Sequence, residues 1–123
     1  MNAMLSGLRI LVLEDEFLIA MDVEQLCRDN GATDIMIKRS VAEIEPEAAT
    51  DGFDVAIVDF MLSGVSTLPF AERLHSRGRP FVITSGYVDT AEVLTAFPGV
   101  GVVSKPFSGP DLIDAVAAAV GRR

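Results

Sequence analysis

The chain has 123 residues, half of them apolar, with 18 acidic against 10 basic side chains and a formal charge of −8. That size supports one compact domain that needs neither disulfides nor a structural metal, and the few, scattered Lys and Arg argue against direct nucleic-acid binding. No stretch approaches the roughly 20 apolar residues that span a bilayer, the apolar run near the amino end stops at Glu14-Asp15-Glu16, and Cys27 is the only cysteine; no signal peptide, membrane anchor or internal disulfide is expected, and a reducing, cytoplasmic location is.

In chain order, residues 1–7 are expected as a tail, 8–121 as the domain and 122–123 as a second tail, with no output domain. Arg9 to Leu13 is an apolar run suited to a strand buried on both faces. From Glu16 the period lengthens, with Ile19, Val23, Leu26 and Cys27 on one helical face until Asn30-Gly31 supplies a stop. Cys27 is expected as a small buried residue of that helix. Asp34 to Arg39 reads as a more polar edge strand, and Ser40 as the cap of a short helix to about Ala49, against which Pro46 argues. After the Asp51-Gly52 turn, Val55 to Val58 forms a third strand that ends at Asp59, followed by a loop through Gly64. A helix over Leu68 to Arg77 presents Phe70, Ala71 and Leu74 inward, and His75 near its end is expected to be solvated. Phe81 to Thr84 is the fourth strand, broken at Ser85-Gly86. A short helix follows from Asp89, then a fifth strand at Gly101 to Ser104. Ser108, with Asp111 three residues on, caps a last helix whose inner stripe is Leu112, Val116, Ala119 and Val120.

Strands alternating with helices through short connections imply a parallel sheet covered on both faces. The flavodoxin-like, doubly wound order 2-1-3-4-5 is the expected α/β architecture, and its sites form outside the carboxyl ends of the strands. Glu14, Asp15 and Glu16 follow strand one, Asp59 strand three, Ser85 strand four and Lys105 strand five. Converging carboxylates repel one another unless a cation sits among them, and hard oxygen ligands suit Mg²⁺, or Mn²⁺ in its place. Phosphoryl transfer needs a nucleophile, a metal and donors for the transferring oxygens. Asp59 can be the nucleophile, Asp15 a direct metal ligand, Glu14 a more distant or water-mediated one, and Lys105 and Ser85 the donors. Singly, each has a plain structural explanation as a helix cap, strand end or solvated charge. Four polar residues with complementary roles on four strand ends favour function.

These residues resemble the receiver domains of bacterial two-component signalling over about Leu8 to Val120. Glu14-Asp15-Glu16 is similar to the family's acidic pair and its follower, Val55 to Asp59 to the acceptor strand, and Val103-Ser104-Lys105-Pro106-Phe107 to its lysine-proline signature. The resemblance implies a phosphorylation-activated switch with Asp59 as acceptor and Ser85 as the sensing hydroxyl. It further implies Gly86 as the small neighbour, the backbone carbonyl of Met61 as a metal ligand together with Asp15 and Asp59, and a cis Lys105-Pro106 peptide. The implied partner is a sensor histidine kinase or a histidine phosphotransfer protein. The chain would catalyse its own phosphorylation and dephosphorylation rather than turn over a small substrate.

Departures from the family pattern bear on the readout. The loop Asp59 to Gly64 lacks the proline that commonly follows the acceptor, and Val102 stands where the family's switch aromatic would be. Pro80 to Tyr87 instead resembles the variant receivers nicknamed FAT GUY, often stand-alone, with Ile83 and Ser85 differing from that signature. Signal output is therefore expected through Ser85, Gly86 and Tyr87, and an apolar Met61 beside the acceptor is expected to slow loss of phosphate. Two other functions compete: a phosphorylation-independent interaction module, against which Asp59, Asp15 and Lys105 argue, and a phosphatase, which would need an acid where Met61 stands. The chain is expected to be a monomer or a weak homodimer through the last helix.

Overall fold

The computed structural model describes residues 3–44, 52–86 and 90–122. Five strands, β1 (Arg9–Leu13), β2 (Asp34–Lys38), β3 (Val55–Asp59), β6 (Phe81–Ser85) and β7 (Gly101–Ser104), form one parallel sheet in the order β2-β1-β3-β6-β7. That is the expected flavodoxin-like order. Between β3 and the next helix lies a small antiparallel hairpin, β4 (Met61–Leu62) with β5 (Val65–Ser66), where the sequence suggested only a loop. Its strands are too short to carry a period-two pattern.

Successive residues of a strand face opposite sides of the sheet, and this divides the core in two. Leu11, Leu13, Ala56, Val58, Phe81 and Ile83 pack on one side with α2 (Leu68–Ser76) and α3 (Thr90–Ala96), through Phe70, Ala71, Leu74 and Val93. Ile10, Val12, Val55, Ile57 and Val82 pack on the other with α1 (Phe17–Asp29) and α4 (Gly109–Ala119), through Val23, Cys27, Leu112, Ile113, Val116 and Ala117. Ile19, Leu26, Ala119 and Val120, read as inward residues, flank this second core as partly buried neighbours. Burial pushes the Cys27 thiol up to about 12, which leaves it protonated and unreactive.

The ends of the domain and the segment after Ser40 are more specific than the sequence suggested. Before β1, Leu5 is fully buried in the second core. Backbone bonds from Leu5 N–H to the Asn30 carbonyl and from Gly7 N–H to the Gly31 carbonyl hold it to the end of α1. Gly31 has a φ of +98°, and a Cβ there would lie 3.0 Å from the Ser6 Cα, so a side chain would be both strained and obstructed. At the other end, the Arg122 guanidinium donates to the carbonyls of Met4 and Ser6 at 3.3 and 2.8 Å. Finally, the helix expected after Ser40 is one 3-10 turn over Val41–Glu43, and the Ser40 side chain makes no capping bond. Arg39 N–H bonds instead to Glu43 Oε1. The continuation to Ala49, with Pro46, lies outside the described residues.

Ser108 Oγ accepts from Asp111 N–H, as the spacing suggested. His75 is exposed, yet its ring lies 5.5 Å from that of Phe97 and 6.5 Å from that of Phe81. Among the described residues no helix is long and apolar enough to cross a membrane.

Candidate phosphoryl-transfer site

The parallel register brings the carboxyl ends of the strands to one edge: Leu13 lies opposite Lys38 and Val58, Asp59 opposite Thr84, and Ser85 opposite Ser104. The apolar runs of β1 and β3 give way there to Glu14 and Asp59, charged residues that the apolar core could hold only at high cost. Glu14, Asp15 and Asp59 each offer a carboxylate oxygen, all within 4.8 Å of one another. Glu14 and Asp59 are buried and Asp15 is half-buried.

Lys105 reaches into this group from the loop after β7. Its Nζ donates to Asp59 Oδ2 at 3.0 Å and to Glu14 Oε1 at 3.1 Å, and its backbone N–H donates to the Ser85 carbonyl at 2.8 Å. The Lys105–Pro106 peptide is cis. Burial alone would lower the ammonium, but its bonds to Asp59 and Glu14 outweigh that and hold it above its ordinary value. Glu14 shows the opposite balance. Burial and the neighbouring Asp59 push it up to about 7, against the pull of Lys105. Glu14 Oε2 also accepts from Glu16 N–H, so this carboxylate serves the start of α1 as well. Glu16 itself makes no side-chain cap.

Asp15 is held from the loop that follows Asp59. Ser63 donates to Asp15 Oδ2 through its N–H at 3.0 Å and its Oγ at 3.1 Å. Burial draws this carboxyl upward, but the two Ser63 bonds overcome it and keep it below its ordinary value. Thr67, buried just before α2, donates its hydroxyl to the carbonyls of Asp59 at 2.6 Å and Phe60 at 3.0 Å. Its N–H also bonds to the Phe60 carbonyl at 2.9 Å. Together these bonds fix the backbone that carries Asp59.

Sequence reasoning did not single out Ser63 or Thr67. Ser63-Gly64 carries only a turn signal, and Ser66-Thr67 ahead of Leu68-Pro69 has the form of a helix start. Their long-range partners appear only once the chain is folded.

Ser85 is fully buried at the end of β6, one strand over from Asp59. Met61 opens the hairpin two residues beyond Asp59 and is 37% exposed. Val102 packs, partly buried, against the core beneath α2 and α3. Gly86 is the last described residue before the connection to α3, and Tyr87 lies outside the described residues. Chemically, three clustered carboxylates with one ammonium suit a hard divalent cation that keeps several waters and takes few protein ligands. Glu14, caught between burial and Asp59, marks the excess negative charge such an ion would offset.

The chain resembles solved receiver proteins along nearly its whole length. A response regulator receiver protein from Sinorhizobium medicae shares 24% identity over 95% of this chain and 98% of its own, with a TM-score of 0.79. The Francisella response regulator 1452 receiver domain shares 23% over 94% and 98%, with a TM-score of 0.74. One from Clostridium thermocellum shares 22% over 94% and 95%, with a TM-score of 0.80. At these identities the likeness establishes the fold. No curated protein matches the chain. The family model described as the response regulator receiver domain matches residues 10–117. By that match the chain belongs to the response regulator receiver domain family of two-component signalling.

Proposed function

We propose that this receiver is a phosphorylation-driven switch in which Asp59 accepts a phosphoryl group from a phosphohistidine on a sensor kinase or histidine phosphotransfer protein. The observation that carries the proposal is Asp59 Oδ2, buried and held 3.0 Å from the Lys105 ammonium within a trio of carboxylates. An Asp59 oxygen forms the new O–P bond as the N–P bond of the donor breaks, and the imidazole leaves with the electron pair. Lys105 stays charged and offsets negative charge on the acceptor and the incoming oxygens. Ser85 is assigned to a phosphoryl oxygen as a neutral donor.

Asp15, Asp59 and the Met61 carbonyl would hold Mg²⁺ or Mn²⁺, with Glu14 as a more distant or water-mediated ligand. When bound, the ion neutralises the clustered carboxylates and the phosphoryl oxygens together. The output is a change in protein–protein contacts through the segment around Ser85, Gly86 and Tyr87. Val102 is too small to serve as a ring that turns inward. The chain acts as acceptor and switch, not as a turnover enzyme.

Intact mass spectrometry after incubation with acetyl phosphate and Mg²⁺ tests this reading. Wild type should gain one phosphoryl group, and Asp59→Asn none. An unmodified wild type would favour a phosphorylation-independent module, and multiple turnover of phosphate esters would favour a phosphatase.

A further inference from the structure

Ser63 takes no part in the transfer chemistry above, yet it joins two of that chemistry's components. Among the described residues it is the one non-glycine with a positive φ, +50°. That turn brings its N–H and Oγ onto a single atom, Asp15 Oδ2. The donor lies in the loop that follows Asp59, and the acceptor belongs to the carboxylate trio 48 residues earlier. A proline at this place could supply neither contact, having no N–H and a φ fixed near −65°.

We infer that Ser63 is a positioning residue for the divalent cation, setting its affinity by tethering Asp15 to the acceptor loop; this rests on the reading that the trio holds Mg²⁺. Asp15 is only half-buried, so an untethered carboxylate there is free to rotate toward solvent and away from the trio. Two hydrogen bonds on Oδ2 oppose that motion and order the side chain before the ion arrives. They also draw some charge from the carboxylate, which weakens it as a ligand. Orientation dominates: loss of partners that hold a metal-ligating side chain costs about 10–100-fold in affinity. Ion binding at Asp15 and the shape of the loop carrying Asp59 thereby become one event.

Calorimetric Mg²⁺ titrations of wild type, Ser63→Gly and Ser63→Asn test the inference. Glycine keeps the N–H and accepts a positive φ, so it removes only the hydroxyl bond; Mg²⁺ should bind about tenfold more weakly. Asparagine tolerates the left-handed region and restores a side-chain donor, so most of the affinity should return. Melting temperatures in EDTA separate positioning from a fold-stabilising role: the glycine variant should melt close to wild type. A wild type that binds Mg²⁺ with Ser63→Gly equal or tighter overturns the inference and leaves the metal reading intact. A wild type that binds no Mg²⁺ overturns both.

Discussion

Replacing Glu14 by Gln should change how the metal-free protein's stability depends on pH. Glu14 is buried beside Asp59, and its carboxyl rises from an ordinary 4.5 to about 7 in the folded protein. A carboxyl raised by folding binds its proton more tightly in the native state, so the stability it contributes is present below pH 4.5 and lost as pH rises through 7. With each tenfold in proton affinity equal to about 1.4 kcal/mol, the full effect is about 3 kcal/mol, most of which falls between pH 5 and pH 8. Gln cannot titrate but can still accept a bond from Lys105. Urea unfolding in EDTA at pH 5 and pH 8 therefore measures Glu14 together with the Asp59 and Lys105 charges it is coupled to, because the more distant titrating groups are common to both proteins. Wild type should lose about 2–3 kcal/mol relative to Glu14→Gln across that interval. If the difference between the two proteins is the same at both pH values, the electrostatic account of the site is wrong.

Three other perturbations separate the parts of the molecule. Leu5→Ala should cost about 2–5 kcal/mol in urea unfolding, since it empties a fully buried position; a loss below about 0.5 kcal/mol would mean that the first segment is not part of the core. Thr67→Val keeps the shape but removes the hydroxyl donor to the Asp59 and Phe60 carbonyls, and should cost about 1–3 kcal/mol with slower labelling by acetyl phosphate. Unchanged stability and labelling would show that this bond does not hold the acceptor loop. Met61→Asn, which places a polar group beside the acceptor, should shorten the lifetime of phosphorylated Asp59 several-fold, followed by loss of the phosphoryl mass. A wild-type half-life of seconds would contradict the assigned effect of Met61.

The sheet was legible because its central strands β1, β3 and β6 are buried on both faces and read as apolar runs, each ending at a polar residue. Asp59 after Val55 to Val58 and Glu14 after Arg9 to Leu13 are such stops, and strand order then placed them on one edge with Lys105. Short-range signals also held where a local bond decides them, as with Ser108 and Asp111. What escaped depends on contacts between distant residues. Leu5 and Leu8 are too few to show a period, and only the folded end of α1 gives them a place. The two-residue strands of the hairpin have no pattern of their own. Ser63 reads as an ordinary turn residue until the fold brings Asp15 to it, and Thr67 as an ordinary helix start until Asp59 and Phe60 present their carbonyls. The shift of Glu14 likewise comes from burial and from a neighbour 45 positions away.

The bonds from Arg122 to Met4 and Ser6 make the fold close on itself like a clasped ring. The first and last described segments are each other's neighbours, so neither can peel away without releasing the other. Fraying, which concentrates at the ends of a domain, is therefore coupled between them through these bonds. Amides of Leu5 and Gly7, bonded to the end of α1, should exchange with solvent in step with those in the last turn of α4, at the edge of the sheet opposite Asp59. Motion around the edge that carries Asp59 is then free to differ from that at the clasp, with the sheet between them as the fixed frame.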